Sequence, residues 1–558
     1  MKQIKAIYSK HKCCYNSILI NITYCLVLIG FCIPISDSGD DSVMMTILSG
    51  GLGDNNSHIV FSNIYYAKII WYLNRLCSSI NWYYIIQYIL MFISFSLIIY
   101  FIIKKIDGKK KYVVCILFLM CFGYDVYIAQ QFTKTAALIS AAGCMTILEE
   151  LEKREWKFII IGSILLIFGS MIRFHSFLAT LGMFSIFIVY KIYKLYENKN
   201  FEFIKKGFAI GIVILGVTFG LRYLDKVEYN TDGWREYREF NSARSSVRDY
   251  PIANYENASE EYKKIGVESA DYYNLLQWNI GDPEYYTTEK LIKISNVKAN
   301  KLSESDNNEN QVLSSIKFYI KYYLSQSWIY FYLACSFMFI YYYGMKKNNI
   351  LKIIIPLLPL VFLSIYLFLK GRYGMQRLEL ILWISSSLEL IMFFFNDKEE
   401  RTKKNIYLIL IFLVTVPIFG ERYFANYSIK NSYKESINIK KNLYNILNDR
   451  PQNTYFMDAS TGYMGESFFI FEPYPIGYAS NVLGLGGWYT NSPVLNDALN
   501  NRNISNPFRD GINNENIFYI TKSDFETQLE YIQEHYDEKA KKELVETIGP
   551  YNIYAIRS

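Results

Sequence analysis

Long apolar runs, separated by short basic turns and three long polar stretches, set the pattern of the chain. Apolar segments lie near 17–35, 82–103, 112–130, 135–149, 158–171, 174–190, 207–222, 327–344, 353–369, 378–396 and 405–420. A bilayer crossing takes about 20 mostly apolar residues, so this pattern predicts a polytopic α-helical membrane protein of eleven spans. Thr135–Leu148 is rich in Ala, Gly and Ser, which fits either a tightly packed helix or a re-entrant one. Ile64–Ile80 carries Lys68, Asn74 and Arg75 among aromatics and predicts an amphipathic helix lying at the interface.

The polar stretches are 36–81, 223–326 and 421–558. The last predicts a small α/β domain. It has a helical pattern over Lys434–Leu447, strand-like runs at Asn453–Met457 and Asn516–Ile520, a helix over Ser523–His535 opened by a Ser cap, and a closing strand at Tyr551–Ile556. The Gly/Asn/Pro-rich stretch Gly477–Pro507 predicts long loops, and Lys298–Gln311 a mobile one. The domains are therefore 1–420, a transmembrane body with outer loops at 36–81 and 223–326, and 421–558, an extracytoplasmic module.

Orientation follows from the basic residues. With the N-terminus in the cytoplasm, the inner connections hold 24 Lys and Arg and the short outer ones seven. The first segment follows Lys2, Lys5, Lys10 and Lys12 and has no small-residue cleavage site, so it reads as a retained signal anchor. The chain is expected in the cell membrane, multi-pass, with its C-terminal module outside.

Composition narrows the class. Of 558 residues, 52% are hydrophobic, 17% aromatic and only 20% charged, which excludes a disordered chain and a simple soluble enzyme. The net charge of +7 is spread between apolar runs, not gathered on one face, so nucleic acid is a poor partner. The nine cysteines avoid 223–326 and 421–558, so no disulfide staples those stretches.

The first span is followed by Ser36-Asp37-Ser38-Gly39-Asp40-Asp41-Ser42. Acids at the membrane edge are costly to desolvate. They fit a carboxylate base in a membrane-level cavity, or a ligand for a divalent cation such as Mg or Mn. They equally fit a helix start before Val43–Leu48. The run Asp40-Asp41-Ser-Val-Met-Met-Thr-Ile-Leu-Ser-Gly-Gly, followed by His58-Ile-Val-Phe-Ser-Asn63 and the amphipathic segment, resembles the first outer loop of GT-C membrane glycosyltransferases. The resemblance implies a polyprenyl-phosphate or polyprenyl-diphosphate sugar donor and transfer to a glycan or lipid acceptor on the outer face. It implies Asp40 or Asp41 as base or metal ligand, with Asp125, in Gly123-Tyr-Asp-Val-Tyr127, as a second acid. His58 is a candidate substrate contact in the same loop.

A lipid-phosphate donor needs cations near the interface, and the planar fork of Arg suits phosphate. Arg173 stands between two apolar runs, where meeting lipid would cost about 2.5–3.5 kcal/mol, so it is expected to face protein, water or ligand. Arg372 and Arg377 frame another outer turn, Lys134 and His175 are further candidates, and snorkelling to headgroups is the competing role for the arginines. Trp234 and Arg244, in an aromatic and charged run, suit either sugar recognition or an interfacial helix. Two other functions fit the same features. A repeat-unit polymerase would use the outer arginines on a lipid diphosphate. A transporter or flippase would carry more charge at the midplane.

Overall fold

The computed structural model describes residues 2–297, 308–372, 374–395, 406–462 and 466–558. Among these, six helices are long and apolar enough to cross a membrane: His11–Phe31, Trp82–Lys105, Lys110–Ile128, Phe174–Glu197, Phe201–Glu228 and Lys347–Leu369. Their outer surfaces stay apolar; Ile212 and Val213 are 68% and 64% exposed, a face suited to lipid. The other predicted segments are also helical, as Phe132–Glu150, Trp156–Ile172, Ser327–Tyr343 and Gln376–Phe394, but they are shorter or less apolar.

Phe132–Glu150 settles the alternative left open above: it is a packed helix, buried along nearly its whole length. Its small residues allow a close crossing with Trp156–Ile172. A Cβ on Gly143 would lie 2.7 Å from the Gly162 carbonyl oxygen, and one on Gly169 would strike the Ser140 hydroxyl.

The charged turns gather by end. Lys104 pairs with Glu150 at 3.0 Å, Lys105 with Glu149 at 2.8 Å, Lys191 with Glu152 at 2.7 Å and Arg154 with Glu202 at 2.9 Å. All four join turns grouped together in the sequence as inner connections. At the other end of the Trp82–Lys105 helix, the three long polar stretches pack on one another. Gly477 and Ala479 donate backbone N–H groups to Gly50 and Gly51, each at 2.7 Å, and Asn81 donates to Glu472. Val60 N–H donates to the Tyr229 hydroxyl at 2.8 Å, and the Tyr237 hydroxyl to the Trp488 carbonyl at 2.8 Å. The interfacial segment forms the helix Ile64–Leu76, capped by Asn63.

The C-terminal module holds five strands: β3 Thr454–Met457, β4 Val482–Gly484, β5 Ile517–Thr521, β6 Lys541–Ile548 and β7 Tyr551–Arg557. (The two-residue strands β1, Ile35–Ser36, and β2, Ala129–Gln130, belong to the helical body.) Their order is β4-β3-β5-β7-β6, with β4, β3 and β5 parallel and the other pairings antiparallel. Several expectations change. The helix expected at Lys434–Leu447 is the end of a continuous 43-residue helix, Ile406–Asn448. Gly477–Pro507 is not all loop: it contains β4 and the helix Pro493–Asn500, capped by the Ser492 hydroxyl. The helix expected from Ser523 begins at Glu526 with Phe525 as its cap, because the Ser523 hydroxyl is engaged with Thr521 at 2.8 Å. β6 was not anticipated, since an exposed edge strand carries no alternating apolar signal.

Among the described residues, the stretch after Phe201–Glu228 folds into four short helices, Trp234–Arg248, Tyr255–Lys264, Ser269–Leu276 and Thr288–Ser295, and a longer one, Asn308–Ser325, whose first turn takes up the end of the expected mobile loop. Residues 298–307 of the expected mobile loop lie outside the described residues. This helical stretch docks on the module where β3 and β5 end. Asn279 donates to the buried Asp458 at 3.1 Å, and Gln528 donates to both Gln277 and Asp458. The Gly-rich run 484–487 serves this docking. Gly281 N–H donates to Leu485 O at 2.8 Å and Gly487 N–H to Trp278 O at 3.0 Å. A Cβ on Gly486 would sit 1.8 Å from the Trp278 carbonyl oxygen. Gly486→Ala is therefore expected to open the 278–281 contact, read as faster protease cleavage in 223–326 and a lower melting temperature. Unchanged cleavage and melting would show the contact to be dispensable.

Candidate functional site

The segment leaving the first helix is fastened before it turns into the next. β1 pairs in parallel with β2, and Asp37 N–H donates to Gln130 O at 2.8 Å. The Lys134 ammonium, fully buried, meets Asp37 at 2.8 Å and the Ala129 carbonyl at 3.0 Å. The helix Gly39–Ser49 follows, with Asp40 and Asp41 in its first turn, where the helix dipole favours negative charge.

The two acids then diverge. Asp41 is 0% exposed and accepts from the Tyr83 hydroxyl at 2.8 Å, Phe132 N–H at 3.1 Å and the Ser38 hydroxyl at 3.2 Å. Burial, aided by the Asp40 charge, raises its pKa to about 7 against the pull of those donors. Asp40 points to a more open space. Its carboxylate lies 3.3 Å from the Arg377 guanidinium, and its side chain keeps 27% exposure. Burial raises its pKa as well, opposed by Arg377, Arg173 and Arg244.

Arg173 sits in an extended link between two apolar helices. It donates to Phe61 O at 3.3 Å and lies over the Phe61 and Phe132 rings. Burial, together with Arg377, Arg372 and Arg222, lowers its pKa to about 10 against the stabilising Asp40 charge. Arg372 rests over Tyr250 at 5.4 Å, with its Nε buried and unpartnered. Arg244, 2% exposed, lies over Trp278 and 3.6 Å from Asp249. Arg222 pairs with Asp225 at 2.9 Å. Arg377, Arg173 and Arg244 act on the Asp40 charge, and Arg372 and Arg222 act on Arg173; with Asp225 and Asp249 as the partners of Arg222 and Arg244, these five guanidiniums outnumber the three carboxylates by two. Such an excess attracts anions.

Of the candidates, Arg377 is thus ion-paired to Asp40, Arg173 and Arg244 are near enough for their charges to act on it, and Arg372 acts on Arg173. The remaining candidates have other surroundings. Lys134 is committed to Asp37. His58 stacks on Trp234 at 4.5 Å and 14°, shares a hydrogen bond with Asn56, and is pulled down by burial to about 4, so its ring is neutral. Trp234 is 7% exposed, packed between His58, Tyr229 and Tyr237. His175 is exposed at the start of its helix, edge-on to Phe174.

Asp125 is 0% exposed in a π-helical turn. It accepts from Trp328 Nε1 at 2.7 Å, Gln376 Nε2 at 2.6 Å and Arg422 at 2.7 Å. That node ties four segments together and, through Gln376, sets the place of the neighbouring Arg377. Arg222, Asp249, Gln376 and Arg422 were not singled out in the sequence. Arg222 and Arg422 each close an apolar run, the same signal that marked Arg173.

The Asp40 carboxylate is ion-paired to Arg377, which would compete with a divalent cation for it. Among the described residues, the one group with metal-ligand spacing is Asp271, Glu534 and His535, within 4.8 Å of one another. There Asp271 is already held by His535 at 2.6 Å, Glu268 N–H and the Tyr285 hydroxyl.

Comparison of the chain with protein-family models, curated proteins and solved structures finds no match.

The Asp41 environment has a pH consequence. Its folded pKa of about 7 exceeds the ordinary aspartate value of 3.8, so between those values the folded state keeps a proton that the unfolded state has lost. Stability therefore falls as pH rises from about 4 to 7 and levels above it. Asp41→Asn retains an acceptor for Tyr83 and Phe132 and lacks this slope. Its melting temperature is expected to gain on wild type as pH rises through that window. A difference independent of pH would contradict the assignment.

Proposed function

We propose that this chain is a polytopic membrane glycosyltransferase of the GT-C kind. In this reading eleven segments cross the membrane, the N-terminus is cytoplasmic, and the three packed polar stretches lie outside. The donor is a polyprenyl-phosphate or polyprenyl-diphosphate sugar, and the acceptor is a cell-surface glycan or lipid. One observation carries the reading: a partly exposed acid, Asp40, ion-paired to Arg377 within a cluster of guanidiniums drawn from distant segments.

Each group then has a role. Arg377, Arg173 and Arg372 bind the donor phosphate, and the charge excess favours the leaving phosphate, which gains a negative charge, over the already anionic phosphodiester linkage. Phosphate competes with Asp40 for Arg377, freeing the carboxylate to accept the proton of the acceptor hydroxyl. The acceptor oxygen bonds to the sugar's anomeric carbon as the bond from that carbon to the phosphate oxygen breaks. Arginine supplies the charge stabilisation, so no metal is required by this scheme. Asp41 and Asp125 are positioning residues: the first fixes the helix that carries Asp40, the second the helix that carries Arg377.

Asp40→Asn is expected to reduce transfer by about 10²–10⁴-fold with melting behaviour kept, the usual weight of a positioned base. Arg377→Ala should chiefly weaken donor binding. The readout is the pool of lipid-linked sugars in a deletion strain complemented by each variant. Full complementation by Asp40→Asn would refute the reading, and accumulation of single complete repeat units would indicate a polymerase instead.

A further inference from the structure

We propose that a cleft of about 530 Å³, apart from the Asp40 site, is a saccharide-binding site. Three distant segments build it. Met45 and Ser49 of the Gly39–Ser49 helix form one wall, the end of the Ile64–Leu76 helix and its turn form another, and the tail turn 473–476 closes it.

The lining has the chemistry of a polyol site. Asn55 and Asn74 each donate their amide N–H to Leu48 O at 3.2 Å, and Asn81 donates to Glu472 O at 3.0 Å. Each amide has one N–H held by backbone, which fixes the side chain and leaves its second N–H and its carbonyl as groups that can pair with sugar hydroxyls. Arg75, stacked over Trp71 at 4.6 Å, supplies donors. Tyr474 lies between two prolines, Pro473 and Pro475, and this run offers flat apolar surface for the C–H face of a pyranose. The lining residues include no carboxylate, which disfavours a cation, and the row of amides disfavours a hydrocarbon chain. One arginine admits a neutral or singly anionic sugar.

The cleft is coupled to the acid pair by its wall. Ser49 lies on the helix that begins with Asp40, about 14 Å further along at the usual rise per residue. Tyr83 lines the cleft and donates its hydroxyl to Asp41. A glycan seated here would be held one helix length from the anion cluster. The assignment of this glycan as the acceptor rests on the glycosyltransferase reading; saccharide binding itself does not.

The test is saturation-transfer NMR on the full chain in nanodiscs, with maltotriose, chitotriose and trigalacturonate as probes. At least one is expected to bind. Ser78→Trp and Ile476→Trp fill the mouth from exposed positions and should each weaken binding at least tenfold, with melting unchanged. Absence of binding by all three probes, or binding indifferent to both substitutions, overturns the proposal. Asp40→Asn should keep binding intact. Loss of transfer in Asp40→Asn without any saccharide binding would remove the cleft and leave the enzyme reading standing. Binding with full transfer by Asp40→Asn would do the reverse.

Discussion

The fastening of residues 35–41 to residues 129–134 is the constraint on which the site depends. A polar segment leaving an apolar helix has unsatisfied backbone groups and charges, and these are met by one partner segment. β1 pairs with β2, Asp37 with Lys134, and Asp41 with Phe132 N–H. Lys134, Asp41 and Phe132 are buried, where an unpaired polar group is expensive, so these contacts support one another. Asp40 is what remains when its neighbours have been consumed. It is presented by a rigid helix start to the only direction left, toward the arginines.

The arginines carry a corresponding cost. Like charges brought together in a partly desolvated space oppose folding, and the lowered pKa of Arg173 expresses its burial first and that repulsion second. Structure elsewhere offsets it: the Asp125 node binds Trp328, Gln376 and Arg422, and Arg222 has its own Asp225. An excess of positive charge retained at such cost is what an anionic ligand would relieve, and in the proposed reading that ligand is the donor phosphate.

Much of this was legible in the chain because membranes make charge conspicuous. Arg173, Arg377 and Asp40 stand at the ends of apolar runs, and charge there must face protein, water or ligand. The helices were legible for the same reason. The choice between Asp40 and Asp41 was not, since adjacent helical residues point about 100° apart and only tertiary contacts decide which is buried. Lys134 and Asp125 looked like Arg173 in sequence, and their engagement depends on Asp37 and Arg422, far away along the chain. His58 and Trp234 were visible as polar and aromatic residues in loops, but nothing local announces that they stack on each other. β6 was hidden by its polarity, and Gly486 by the fact that its neighbour is a backbone carbonyl some two hundred residues distant.

The C-terminal module shows how such long-range contacts settle a role. In an open α/β sheet the ends of the parallel strands form a crevice, and ligands commonly bind there. Here that place is filled from within the chain. Asn279 meets Asp458 at the end of β3, Thr521 closes β5 against the same carboxylate, and Gln277 reaches Gln528. With its crevice occupied, the module acts as a platform. It holds the helical stretch that carries Arg244 over Trp278, and its turn 473–476 closes the cleft against the first polar loop. In the proposed reading its contribution to chemistry is exerted through position: it sets where Arg244 stands relative to Asp40, two groups that the sequence separates by about two hundred residues and that electrostatics alone would not hold in register.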